Sequence, residues 1–509
     1  MSNPLLNDYL KKILSARVYD VAIETPLHIA PFLTERLGNQ IWLKREDEQP
    51  VYSFKIRGAY NKVSQLNEEE KAAGVVAASA GNHAQGLALA AKELGIKATI
   101  VMPRTTPEIK VKSVKARGAK VVLHGDAFDD AFAYSQKLVE EKGMTYIHPY
   151  DDPDTIAGQG TIGMEILRQM RQPIDAVFVP VGGGGLAAGV AAYIKALRPE
   201  VKVISVESTE SACLAAAKAE GERVVLDQVG IFADGVAVAQ IGENTWQVCK
   251  DHIDDCLTVT PDEICAAIKD IFDDTRAVCE PAGALAVAGM KKYIERESCE
   301  DHNFVAILSG ANVNFDRLRY ISEVAEIGEG REVILAVTIP EQAGSFQKFC
   351  SLLGKRPITE FNYRYGDDDK ARIYVGVKVS DEANARQALL SELQSDGYPV
   401  MDITDNEIAK YHIRHMVGGH APDSVNDERV YRFEFPERPG ALLNFLKKLG
   451  KRFNISLFHY RNHGAAYGRV LVGMQVPHDK VSQLEGYLNE LGYRFWDETN
   501  NEAYQLFLR

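Results

Sequence analysis

AVFVPVGGGGLAAGVAAYIKAL, residues 176–197, runs from a wholly apolar stretch through four consecutive glycines into an alanine-rich segment. Ala176–Val181 shows no alternation of apolar and polar positions, so a strand here is buried on both faces. The glycines let the backbone turn sharply, and the run after Gly185 is composed for a helix. A doubly buried strand leading straight into a helix is the repeating unit of a parallel sheet covered by helices.

The same unit recurs on either side. AQGLALAAKELG (84–95) reads as a helix and ATIVMP (98–103) as the strand after it; KVVLHG (120–125) follows a helical VKSVKARGA. KVISVE (202–207) and FVAILSG (304–310) add further apolar strands. From about Pro26 to Gly310 the chain is therefore an α/β block with a parallel sheet and helices on each face.

After the charged junction SEVAEIGEGRE (322–332) the pattern changes to an internal duplication. VILAVTIPEQAGSFQKFCSLLGK from Val333 aligns with VYRFEFPERPGALLNFLKKLGK from Val430, pairing Pro340 with Pro436, Gly344 with Gly440 and Gly354 with Gly450. EFNYRYG from Glu360 matches LFHYRNHG from Leu457, and ARIYVGVKV from Ala371 matches GRVLVGMQV from Gly468. Each copy reads βαββαβ, the ferredoxin-like arrangement. The offset of 96 residues, from Pro340 to Pro436, makes this a duplicated domain rather than a solenoid, whose repeats run about 20–50 residues. The expected boundaries are 1–322 for the α/β domain, 323–331 for the junction, 332–404 and 427–499 for the copies, 405–426 for a helix and linker between them, and 500–509 for a tail.

With 46% hydrophobic and 25% charged residues, the 509-residue chain has an ordinary globular composition. Its 58 basic against 71 acidic side chains give a formal charge of −13, which argues against nucleic acid or an anionic membrane as the main partner. Seven widely spaced cysteines without a CxxC pair indicate neither a disulfide framework nor a zinc site, and no metal is expected. MSNPLLNDYLKKIL lacks a signal-like apolar core, and no stretch is long enough to span a membrane, so the expected setting is a reducing cytoplasm.

Four stretches carry chemistry. In SFKIRGAYNKV (53–63), Lys55 stands between Phe54 and Ile56 at the opening of a helix. It is either a solvated surface lysine or a half-buried amine able to lose its proton and attack a carbonyl. Gly182–Gly185 is either a tight turn or a cradle of N–H groups for a small phosphate. It matches neither GxGxxG nor a P-loop. SAGNHAQG (79–86) sets hydroxyl, amide and glycine at a strand's C-terminal end, where open α/β sheets bind ligands. In ILSGANVN (307–314), Ser309 closes a buried strand with a hydroxyl that can donate or accept. A nucleophilic lysine, an anion loop and polar groups at strand ends together fit a phosphorylated aldehyde held as a Schiff base, and pyridoxal 5′-phosphate answers that description.

Ser53–Ala59, Ser79–His83, Gly182–Leu186 and Ser309–Asn312 together resemble the motif set of fold-type II pyridoxal-phosphate enzymes. The likeness is nearest to the biosynthetic threonine dehydratases, and it extends over the whole chain, including two ACT-like regulatory copies. The resemblance implies a tryptophan synthase beta-like catalytic domain in which Lys55 is the Schiff-base lysine and Phe54 packs beside the ring. It further implies that Asn82 bonds the cofactor's 3′-oxygen, the N–H groups of Gly182, Gly183, Gly184, Gly185 and Leu186 hold the phosphate, and Ser309 faces the pyridine nitrogen. Ser79, Ala80, Gly81, Asn82 and His83 would grip the substrate carboxylate.

The reaction so implied is elimination of water and ammonia from L-threonine to give 2-oxobutanoate, with L-serine as a second substrate. Related racemases carry a serine where this chain has Ala80, so racemisation is disfavoured. Some relatives bind a divalent cation near the segment equivalent to Glu207–Cys213, and Cys213 stands where an acidic ligand would be expected. The ACT-like copies imply L-isoleucine as inhibitor, L-valine as its antagonist and a homotetramer. Phe361, Tyr363 and Arg364, with their counterparts Phe458, Tyr460 and Arg461, are effector-pocket candidates whose aromatics serve equally well as core.

Overall fold

Phe178, at the middle of the opening stretch, packs against Tyr293 and Phe304 with ring centroids 5.4 and 5.7 Å apart, inside a sheet covered on both faces. The computed structural model describes residues 3–230, 232–315, 317–328, 332–354, 356–366, 369–380, 384–406, 409, 413, 421, 425, 427–436, 441–449, 453–461 and 467–508. The chain forms two units, Met1–Gly328 and Glu329–Arg509.

In the first unit the strands are β1 (Leu27–Ile29), β2 (Gln40–Arg45), β3 (Val75–Ala78), β4 (Ala98–Met102), β5 (Lys120–Leu123), β6 (Thr145–Tyr146), β7 (Ala176–Pro180), β8 (Lys202–Ser208), β9 (Asp255–Val259) and β10 (Asn303–Leu308). They make two sheets, β1-β2-β10-β7-β8-β9 and β5-β4-β3-β6, where the sequence pattern predicts a single one. All pairings are parallel except β1 with β2. The C-terminal ends of β3, β7 and β10 deliver Ser79, Gly182 and Ser309 respectively.

Four helices meet at small residues around Lys55. They span Lys55–Ser64, Asn82–Glu93, Pro153–Gln169 and Gly185–Leu197. A Cβ on Gly86 would come 3.1 Å from the Lys55 carbonyl carbon, and one on Gly158 would come 2.6 Å from the Gly58 Cα. The Gly158 approach excludes any side chain, and the Gly86 approach would need the Lys55 backbone to give way. Phe54 offers no side-chain cap to the Lys55 helix, so its first turn is held by tertiary contacts instead.

Arg57 is the main one. Its guanidinium is fully buried, donating to Glu46 at 2.7 and 2.8 Å and to Glu165 at 2.5 and 2.9 Å. Lys44, also buried, donates to Glu165 at 2.5 Å. Two cations and two carboxylates thus neutralise one another. Burial alone would push the Lys44 ammonium down, and the carboxylates around Arg57 hold that group firmly charged.

The second unit contains β11 (Glu332–Pro340), β12 (Ile358–Arg364), β13 (Lys370–Lys378), β14 (Val400–Asp402), β15 (Glu428–Pro436), β16 (Asn454–Arg461), β17 (Tyr467–Gln475) and β18 (Arg494–Asp497). Helices Ser345–Leu353 and Ala385–Ser395 in one copy, and Ala441–Leu449 and Val481–Glu490 in the other, complete two βαββαβ motifs as the repeat predicts. The order β14-β11-β13-β12-β16-β17-β15-β18 is palindromic, with β12 and β16 antiparallel at the centre and Asn362 opposite His459. Phe361 and Phe458 face each other across this seam, their centroids 5.4 Å apart, and with Tyr363 and Tyr460 they are buried core. Arg364 crosses the seam to Glu428 at 2.6 Å. Residues 437–440 of the second turn, Gly450 and most of the expected linker lie outside the described residues, and so does the Arg461 side chain.

Candidate active site

Lys55 is half-buried, and its Nζ donates to the Pro149 carbonyl at 2.9 Å while lying 5.2 Å from the Phe54 ring centroid. Burial pulls its pKa down to about 8, against which the Glu280 carboxylate works only in part. Next to Pro149, the Tyr150 ring lies directly over the position a Cβ on Gly183 would occupy, and a Cβ on Gly185 would come 2.9 Å from that of Tyr150. The lysine and the glycine loop are therefore joined by a single short segment, 149–150.

The loop's orientation is fixed from behind. Cys213 Sγ donates to the Gly182 carbonyl at 3.3 Å, and Thr245 Oγ1 to the Gly183 carbonyl at 2.8 Å. Burial holds the Cys213 thiol up at about 12, so it keeps the proton it donates. In a trans peptide the N–H points opposite to the preceding carbonyl, so the N–H groups of Gly183 and Gly184 face the other way, into the site. Gly184 has φ +91°, and Gly185 opens the thirteen-residue helix Gly185–Leu197. None of the described residues accepts a hydrogen bond from the N–H of Gly183, Gly184, Gly185 or Leu186. Asp151 keeps the neighbouring helix Glu243–His252 in place by accepting from Glu243 and Asn244 N–H, each at 2.8 Å.

Asn82 begins the helix Asn82–Glu93. Its Nδ2 donates to Glu280 Oε1 at 2.5 Å, and its Oδ1 accepts from Asn312 Nδ2 at 2.7 Å. Ser79 accepts from Gly81 N–H at 3.3 Å, and Ala80 offers only a methyl group, packed on the core of the small sheet. The buried His83 imidazole is turned away from this loop. Its Nε2–H donates to Ile147 O at 2.8 Å, and burial with Lys55 nearby lowers its pKa to about 3. His83 thus brings its backbone, not a charge, to the helix N-terminus.

Ser309, 4% exposed, donates to the Ala282 carbonyl at 3.2 Å, and its own carbonyl accepts from Phe54 N–H at 3.2 Å. The structure thus links Lys55, Phe54, Ser309 and the glycine loop through Pro149–Tyr150 and the Phe54 N–H, and sets Asn82 against Asn312 and Glu280, while the His83 ring turns away and the effector-pocket candidates belong to the second unit. One further group was missed. Glu280, buried at the start of helix Pro281–Glu297, touches Asn82, and burial raises its pKa to about 7. Glu before Pro reads only as a helix start, so no sequence signal marks it.

Glu207 spends its carboxylate on the N–H groups of Leu214 and Ala215, at 2.8 Å each. Among the described residues no cluster of three His, Cys, Asp or Glu side chains could hold a metal ion, and no helix is long and apolar enough to cross a membrane. A depressed lysine, a cradle of free N–H groups, an amide and a hydroxyl form a donor set that fits a phosphorylated pyridine aldehyde.

Comparison with known proteins agrees. Residues 18–310 match the family described as pyridoxal-phosphate dependent enzyme, and 323–413 and 420–508 match the C-terminal regulatory domain of threonine dehydratase. The chain is 55% identical over 505 residues to the biosynthetic L-threonine dehydratase IlvA of Burkholderia multivorans, covering 99% of both chains. It is 54% identical over 501 residues to the protein of that name from Escherichia coli, covering 98% of this chain and 97% of that one. A solved structure of processed threonine deaminase isoform 2 from Solanum lycopersicum is similar at TM-score 0.62 and 51% identity, over 63% of this chain and 88% of that one. Maize serine racemase follows at TM-score 0.58 and 33% identity, over 62% and 95%.

Proposed function

The chain belongs to the pyridoxal-phosphate dependent enzymes, among the biosynthetic threonine dehydratases, and on that premise we propose that it deaminates L-threonine to 2-oxobutanoate and ammonia at the entry to isoleucine synthesis, under feedback through its C-terminal copies. The observation that carries the reading is Lys55 itself: a half-buried amine whose pKa burial lowers to about 8, donating to the carbonyl of Pro149, the residue before the tyrosine that packs on the glycine cradle.

Bound in the cradle, pyridoxal phosphate supplies an electron sink for negative charge developing at the substrate α-carbon. The N–H groups of Gly183–Leu186 would hold its phosphate, Asn82 would donate to its phenolic oxygen, Ser309 would serve its ring nitrogen and Phe54 would flank the ring. The N-terminus of helix Asn82–Glu93, with Ser79, Ala80 and Gly81, holds the substrate carboxylate. Lys55, neutral often enough at physiological pH, would take the α-proton at Nζ and can return it to the departing β-hydroxyl, which leaves as water. The released enamine tautomerises and hydrolyses unaided. Ser309, a hydroxyl and not a carboxylate, would not hold a proton on the ring nitrogen as an aspartate would, and that would favour prompt elimination.

Ala80 has no proton to deliver to a second face, which disfavours the racemase alternative. The match of both C-terminal copies to the regulatory domain of threonine dehydratase supports effector binding there, with isoleucine as inhibitor and valine as antagonist. A cytoplasmic homotetramer completes the reading.

The test is 2-oxo acid release from L-threonine by cofactor-loaded protein, with and without L-isoleucine. Release suppressed by isoleucine supports both assignments. Release indifferent to isoleucine removes the regulatory one, and absence of release from protein carrying the cofactor overturns the catalytic one.

A further inference from the structure

Asn312 Nδ2 makes two hydrogen bonds, to the Val51 carbonyl at 2.8 Å and to Asn82 Oδ1 at 2.7 Å. A backbone carbonyl can only accept, so the Asn312 amide has one allowed orientation: its NH2 group faces both partners. That choice propagates. Because Asn312 presents donors, Asn82 must turn its oxygen towards Asn312 and its NH2 towards Glu280, whose Oε1 accepts at 2.5 Å. Glu280 is held in turn at the mouth of β10. Its N–H donates to the Gly310 carbonyl at 3.2 Å, and a Cβ on Gly235 would lie 3.8 Å from its Oε1 and 3.9 Å from Asn82 Nδ2. One N–H of Asn82 is thereby committed to Glu280, and the second remains for a ligand oxygen.

We propose that Asn312 is a positioning residue for the reaction, fixing through the one-way chain Val51–Asn312–Asn82–Glu280 which end of the Asn82 amide meets the cofactor. The inference rests on the pyridoxal-phosphate reading of the site. Asn312 has no place in that reading on its own, since its NH2 group is spent on Val51 and Asn82. Its effect is to make Asn82 a donor. A donor steadies a negatively charged phenolic oxygen on the cofactor, whereas a flipped Asn82 would set its carbonyl against that oxygen and against Glu280.

The chain of donors makes a directional double-variant cycle possible. Asn312→Asp keeps shape but reverses polarity: the new carboxylate accepts from Asn82, which flips, and two acceptors then oppose at Glu280. Cofactor affinity should fall by about tenfold or more, and the cofactor's visible absorption band should shift. Glu280→Gln alone should cost about threefold by removing a charge-assisted bond. In the Asn312→Asp background, however, the new glutamine NH2 can donate to the flipped Asn82 oxygen. That locks Asn82 in the wrong orientation, so the double variant should bind the cofactor more weakly than the two single losses combined predict.

Cofactor binding and the absorption spectrum are the readouts, with KM and kcat measured separately. Losses that simply add would overturn the relay and leave the three residues as packing. If Asn312→Asp melts before loading, Asn312→Ala takes its place. It deletes the donor without adding charge, so it should weaken binding severalfold and gain nothing from Glu280→Gln, and unchanged binding and spectrum would overturn the relay. Wild-type protein that takes up no pyridoxal phosphate overturns the parent reading; wild-type protein that loads normally, beside an indifferent Asn312 variant, overturns the relay alone.

Discussion

Lys55 owes its reactivity to its neighbours rather than to its own chemistry. With a pKa of about 8, roughly one molecule in ten holds it neutral at pH 7, against about one in three thousand for a free lysine. Because burial lowers the pKa, the neutral fraction grows as pH rises through that value. Uptake of pyridoxal phosphate by the apoprotein should therefore accelerate with pH about a midpoint near 8. Stopped-flow absorbance would check this, and a midpoint near 10 would mean the amine is solvated. Lys55, Asn82, Gly182–Gly185 and Ser309 were legible in the sequence because each sits at a strand end or helix start with an unusual residue type. Glu280 was not, because its proximity to Asn82 is made by tertiary packing across about two hundred positions. Asn312 stood in a quoted motif, yet its use depends on the Val51 carbonyl, which no pattern of side chains reveals.

Among the elements, the helix Lys55–Ser64 shows most clearly what a local pattern cannot convey. It has no cap, and the buried Arg57 guanidinium anchors its first turn to Glu46 and Glu165. Arg57→Met should leave two buried carboxylates facing Lys44 alone and cost about 3–5 kcal/mol. Urea unfolding of the cofactor-free protein measures it, and a loss below about 1 kcal/mol would show that the quartet rearranges. The alternating strands and helices were plain in the sequence, but their partition into two sheets was not. β3 and β7 are buried along their whole length, so nothing in either says which sheet it joins. The duplicated copies were easier, since turn, helix and strand all recur at an offset of 96 or 97 residues. Their strand order required the structure, because β12 pairs with β16 through backbone groups that any sequence supplies.

At the scale of the whole molecule, two units with separate cores should melt separately. Arg364 and Glu428 are 4% and 5% exposed and meet at the seam of the second. Arg364→Met should lower the melting of that unit by a destabilisation of about 3–5 kcal/mol, leave the first unit's transition in place and leave deamination without isoleucine unchanged. Differential scanning calorimetry distinguishes this from a single shifted transition, which would show that the units unfold together. The palindromic sheet has one more consequence. Two separate copies of a half-length chain could build the same eight strands, but they would have to share every residue and answer every ligand alike. Tethering them in one polypeptide keeps each half at a high effective concentration for the other. It also releases them from identity: Tyr363 and Tyr460 occupy matching places, while Asn362 faces His459 across the centre. A fused pair is free to break its own symmetry, so that its two halves need not bind alike.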